Sequence, residues 1–133
     1  MALARLGGGS VVARAIVLEQ RGDNDCLFHS LLRGLQLDCT AESLRGELVD
    51  FIVSSAAVEV FNTGLSFTDW VRAETALDIG TYCLKMRPPR ERWGGGIELA
   101  ACSMMLRARI FVYVRGCTSG TFRLLVVFGG GEE

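Results

Sequence analysis

The stretch Gly22-Asp23-Asn24-Asp25-Cys26-Leu27-Phe28-His29-Ser30 decides how this chain is read. Its first half is turn chemistry: glycine, aspartate and asparagine favour a tight, non-repetitive backbone. Its second half opens an apolar run in which Leu27, Phe28, Leu31, Leu32 and Leu35 recur at helical spacing, predicting a helix from Cys26 to Leu37. Upstream, Val11 to Leu18 is apolar and β-branched and reads as a strand. Strand, polar loop and helix therefore meet at Cys26, which falls in the helix's first turn. A helix start carries partial positive charge and N–H groups without helical acceptors. The first favours a thiolate and the second can receive an oxyanion, so the position suits a nucleophilic cysteine. Spacing alone leaves a structural cysteine at a helix start open as well.

Downstream the pattern is mainly helical. Thr40 is a good N-cap for a helix from Ala41 to Ser54, with Leu44, Leu48, Phe51 and Ile52 as its buried stripe. Asn62-Thr63-Gly64 reads as a turn. Thr68 is placed to cap a short helix carrying Trp70 and Val71, and Leu77 to Met86 reads as another, stopped by Pro88 and Pro89. Trp93-Gly94-Gly95-Gly96 is a glycine loop whose tryptophan is expected to anchor it to the core. Ile97 to Leu106 is helical, with Ile97, Ala100, Ala101, Met104 and Met105 on one face. Arg109 to Arg115 and Thr121 to Phe128 form a hairpin around Gly116 to Gly120. The order predicts an α+β (mixed α/β) domain: a small β-sheet with helices packed on it. The expected division is an N-terminal extension and first strand over 1–20, the domain over 21–128, and a flexible tail over 129–133.

Bulk properties narrow the function classes. At 133 residues, half of them hydrophobic, the chain suits one domain with its own core. Net charge is −1 and the arginines are scattered, which argues against a nucleic-acid partner. No apolar stretch is long enough to cross a membrane, and Met1 to Ser10 has no signal-peptide core. The five cysteines (Cys26, Cys39, Cys83, Cys102 and Cys117) include no C-x-x-C pair, which argues against a disulfide framework or a zinc knuckle. No metal or other cofactor is expected, and reduced thiols point to the cytoplasm or nucleus. Apart from Cys26, the cysteines are expected to be ordinary buried or half-buried side chains.

The nucleophile stretch resembles the motif G-D-G-N-C-L-F-[RH]-[SA] of the ovarian-tumour (OTU) cysteine proteases. Further pieces occur in that family's order. Leu44-Arg45 through Ile52 resembles its L-R-x-x-x-x-x-[FY]-I helix, and Tyr82 with Met86 its Y-x-x-x-M helix. Trp93-Gly94-Gly95-Gly96-Ile97-Glu98-Leu99 resembles its W-G-[GD]-x-[IV]-E-[LI] segment, and Ile110 to Tyr113 the strand that follows. The resemblance spans Arg21 to Phe128. It implies a papain-like fold and a deubiquitinase that cleaves isopeptide bonds at the ubiquitin C-terminus, acting on conjugates of ubiquitin or a ubiquitin-like protein. It implies Cys26 as nucleophile, Asp23 as orienting acid, Asn24 and Asp25 in the oxyanion loop, and Trp93, Gly94, Gly95 and Gly96 along the substrate channel.

Three departures qualify it. Asn24 stands where the family has glycine, a mild change because asparagine tolerates left-handed backbone. Asp25 stands where the family has asparagine and sets a second acid beside the thiol, which opposes thiolate and oxyanion unless its side chain points outward. His29 is the only histidine of the 133 residues. It matches the [RH] position of the nucleophile motif, where a packing or hydrogen-bonding role is expected, and not the general base. The expectation is a domain that stops short of its catalytic histidine, with Glu133 near Cys26. The alternative is an OTU-like pseudoenzyme that binds ubiquitin or another protein without cleaving it.

Overall fold

The computed structural model describes residues 2–3, 11–12, 24–61, 63–116 and 120–129. Asp23, Cys117 and Glu133 lie outside the described residues, as does most of the stretch expected to be the first strand. Within them, nine elements follow one another: β1 (Ala2–Leu3), β2 (Val11–Val12), α1 (Cys26–Leu35), α2 (Ala41–Ser54), α3 (Phe67–Thr75), α4 (Ile79–Met86), α5 (Gly96–Leu106), β3 (Ile110–Arg115) and β4 (Phe122–Phe128). The strands form one antiparallel sheet in the order β1-β3-β4-β2. Helices and sheet together make the expected α+β domain.

Helix limits follow local chemistry. Cys26 is the first residue of α1, which buries Leu27, Phe28 and Leu31 and ends when Gln36 turns left-handed. Thr40 caps α2 by accepting a hydrogen bond from the Ser43 N–H at 3.0 Å. The cap of α3 is Ser66 rather than Thr68. Ser66 and Asp69 form a reciprocal capping box, while the Thr68 hydroxyl donates to the Ala56 carbonyl at 2.9 Å and ties α3 to the chain after α2. Asp78 caps α4 by accepting from the Thr81 N–H at 2.8 Å, so that helix starts two residues after Leu77.

The core lies between these helices, with α2 packed against α1, α4 and α5. The single apolar face expected for α5 is a simplification. Ile97 through Ser103 are all buried, and Met104 and Met105 are only half-buried. Small residues (Ala100, Ala101, Cys102) let neighbours approach α5 from several sides, as a central helix requires. In the hairpin, a register shift between Val112 and Tyr113 puts both side chains inside, where strict alternation would expose one. Phe128, at the end of β4, reaches back towards Gly96 at the start of α5.

Candidate active site

Cys26 opens α1 and is half-buried. The first intrahelical bond runs from the His29 N–H to the Asp25 carbonyl at 3.0 Å. The N–H groups of Cys26 and Leu27 thus have no acceptor inside the helix, and these are the donors an oxyanion at this cysteine would meet. His29 lies one turn on, on the same helix and half-buried.

The turn before Cys26 is held from inside the protein. Asp25 does not point outward to solvent; its carboxylate is turned into the protein and paired there. It is 3% exposed, and its Oδ1 accepts from Arg45 Nε at 3.0 Å, Arg45 Nη2 at 2.6 Å and the Arg90 N–H at 3.0 Å. Its charge is matched by a guanidinium with no solvent exposure. Arg45 also donates to the carbonyls of Asn24 (3.0 Å), Met86 (2.9 Å) and Arg92 (2.6 Å), and its guanidinium carbon sits 4.5 Å from the centre of the Phe28 ring. Sequence reasoning quoted Arg45 but gave it no role. The signal was present: on α2 it shares the apolar stripe of Leu48, Val49 and Ile52, where a charge survives only if its donors are satisfied.

A second set of contacts joins this turn to the loop after α4. The Asn24 amide donates to the carbonyls of Arg90 at 3.0 Å and Glu91 at 3.3 Å, and Asn24 Oδ1 accepts from the Trp93 indole N–H. Trp93 is therefore no core anchor. It is 73% exposed and is attached to the nucleophile turn by its polar edge. The glycine behind it makes the close approach: a Cβ on Gly94 would lie 2.6 Å from Leu27 Cδ2 and 3.1 Å from Phe28 Cζ. Gly94 thus abuts the residues that follow Cys26, while Gly95 and Gly96 continue into α5. A cleft of about 660 Å³ opens alongside, lined by Asn24, Trp93, Gly95, Gly96, Tyr82 and Glu98 among others.

Glu98 belongs to the frame of this loop. Its Oε1 accepts from the Gly95 N–H at 2.8 Å, and Tyr82 donates its hydroxyl to Oε2. Burial pushes the carboxyl above its ordinary range, and burial followed by the neighbouring carboxylate pushes the Tyr82 phenol up as well. The thiols separate in the same way. Burial raises Cys83 to about 11 and Cys102 to about 12. Cys39, expected to be buried or half-buried, is exposed; its thiol is raised by partial desolvation and then by Glu47 and Asp38. Among the described residues no group of three or more His, Cys, Asp or Glu is arranged to hold a metal, and no helix is long and apolar enough to cross a membrane.

The site thus combines a half-exposed cysteine at a helix start, a turn pinned by a buried ion pair and a glycine wall beside it. Residues 21–129 match the family of OTU-like cysteine proteases, and the chain belongs to that family. It is also 33% identical over 90 residues, 68% of its length, to the ubiquitin thioesterase OTU1 of Saccharomyces cerevisiae. The chain spans about a quarter of the length of that curated relative, 26%. No solved structure matches the chain.

Proposed function

We propose that this domain is a deubiquitinase: Cys26 attacks the carbonyl at the C-terminus of ubiquitin, or of a ubiquitin-like protein, where it is joined to an amine. The observation that carries the reading is the seat of Cys26 at the first residue of α1 with Gly94 packed beside it. The thiolate forms a C–S bond to the carbonyl carbon as the C–N bond breaks, and the amine departs with a proton from an imidazolium. Water then hydrolyses the thioester, releasing the carboxylate and restoring the thiol. The Cys26 and Leu27 N–H groups face the developing oxyanion. Gly94, Gly95 and Gly96 leave room for a substrate backbone without side-chain interference, and Asp23 orients the imidazole. Trp93 and Asn24 border the channel.

On this reading the imidazole is that of a histidine placed after β4, as the family resemblance implies. His29 is the only histidine in 133 residues and rides on the nucleophile's own helix. Phe128 lies against Gly96, so chain leaving β4 starts near the channel. The yeast relative's name as a ubiquitin thioesterase supports the substrate class. The thiol chemistry fits a reducing compartment, cytosol or nucleus.

The test compares the 133-residue chain with the full-length protein on di-ubiquitin, each with and without Cys26→Ala. The full-length protein cleaves and loses cleavage with Cys26→Ala, while the 133-residue chain binds but turns over poorly, because losing one member of a nucleophile–base pair costs nearly as much as losing the set. Cysteine-dependent cleavage by the 133-residue chain would make His29 the base. Ubiquitin binding without cleavage by the full-length protein would establish the non-catalytic binding module instead.

A further inference from the structure

We infer that Arg45 is a positioning residue for the nucleophile loop, setting the Asn24–Asp25 peptide plane that leads into the oxyanion donors at Cys26 and Leu27. This rests on the reading of Cys26 as nucleophile. Arg45 has no solvent exposure, and its donors go to one carboxylate oxygen and three backbone carbonyls. One of those carbonyls belongs to Asn24. A trans peptide is planar, with its C=O and N–H on opposite edges. Drawing the Asn24 carbonyl onto the guanidinium therefore turns the Asp25 N–H to the side away from Arg45. The Asp25 carboxylate, held by the same guanidinium and by the Arg90 N–H, fixes the other end of the residue. The next N–H, that of Cys26, lies in the following peptide, whose Asp25 carbonyl accepts from the His29 N–H, so Arg45 acts on it through the placement of Asp25. The contacts to Met86 and Arg92 hold the other wall to the same group, so one side chain sets the spacing between the nucleophile turn and the segment leading to Gly94.

Lysine cannot replace this arrangement, since its three donors diverge from one point while the guanidinium presents a planar fork. Substituting Arg45 alone would strand a buried carboxylate and could unfold the protein. The informative variant is therefore Arg45→Met with Asp25→Asn, which removes both charges, keeps an acceptor for the Arg90 N–H and keeps the side-chain volume close.

The experiment is run in the full-length protein with ubiquitin joined through its C-terminus to a fluorogenic amine. The double variant is expected to melt cooperatively and to bind ubiquitin within threefold of the parent. Its kcat should fall by about 10²–10³, the loss typical of a displaced oxyanion donor, with KM little changed. Arg45→Lys is expected to recover less than a tenth of the parent kcat. A folded double variant with kcat within threefold of the parent overturns the inference and leaves Arg45 a purely structural residue. Amide exchange at Asp25 and Cys26 is read without substrate and is expected to be at least tenfold faster in the double variant, with α2 and α5 unchanged. If the parent cleaves no ubiquitin conjugate, the proposed function fails. The exchange result then decides the positioning role alone, and unchanged exchange at these two amides overturns it.

Discussion

Gly94→Ala is the most direct probe of the wall beside Cys26. The backbone at Gly94 is not in the left-handed region, so the cost is steric. The new methyl would sit 2.6 Å from Leu27 Cδ2 and 3.1 and 3.3 Å from two carbons of the Phe28 ring. Ordinary carbon–carbon contact is about 3.5–4.0 Å, so Leu27 must retreat by about 1 Å. Leu27 is 2% exposed and Phe28 not at all, so there is little room to retreat into. Overpacking of this kind costs about 1–3 kcal/mol. With about 2.1 cal/mol/K of unfolding entropy per residue, a domain this size loses roughly 4 °C per kcal/mol, which predicts a Tm lower by about 4–11 °C. The assay is a double-mutant cycle with Leu27→Ala, which removes Cδ2, read by urea and thermal unfolding. Gly94→Ala should cost at least about 1 kcal/mol less in the Leu27→Ala background, because the methyl then has space. Additive costs in the cycle, or a Tm within 1 °C of the parent for Gly94→Ala alone, would refute the close approach.

Three further outcomes are expected. Limiting alkylation at neutral pH, mapped by mass spectrometry, should label Cys26 before Cys83 and Cys102, whose thiols are buried and raised to about 11 and 12, and before Cys39, held up by desolvation, Glu47 and Asp38; a first label on Cys39 would count against the nucleophile assignment. Glu98 is raised in the folded state, so its contribution is fully present below the unfolded-state value, near 4.3, and is lost as pH climbs from there through the folded value; the stability of the parent relative to Glu98→Gln should fall over that window, and a difference that is flat or rises with pH would contradict the assignment. Asp50→Asn should change stability by less than about 0.5 kcal/mol in chemical denaturation, because the Arg87–Asp50 pair at 2.9 Å has both side chains largely in water.

The sequence revealed most where one physical signal acts alone. Thr40 and the apolar spacing after it define α2, and the glycine turn between two β-branched runs defines the hairpin, because caps and periodicity are local. Cys26 at a helix start was legible for the same reason. What stayed hidden depends on partners distant in sequence. Asp25 looked like a liability beside the thiol until Arg45, 20 residues later, was seen to claim it. Trp93 has the size of a core anchor, yet its indole N–H is taken by Asn24, 69 residues earlier, and its ring remains in water. Ser66 displaced Thr68 as a cap because Asp69 completes the reciprocal pair, while Thr68 is drawn to Ala56. The central place of α5 follows from what surrounds it, which a single-helix pattern does not encode.

The reach of Arg45 also sets when the site comes into being during synthesis. Its partners lie 20, 21, 41 and 47 residues away along the chain. Cys26 and Arg45 leave the ribosome early, but the carbonyls of Met86 and Arg92 and the Arg90 N–H emerge much later. Until then the turn before Cys26 lacks much of what fixes it, and ordering it early would cost entropy with few contacts in return. The nascent chain therefore carries a free thiol and no assembled site, and the loop before Cys26 takes shape only when two distant stretches, Asn24–Asp25 and Met86–Arg92, close on a single guanidinium.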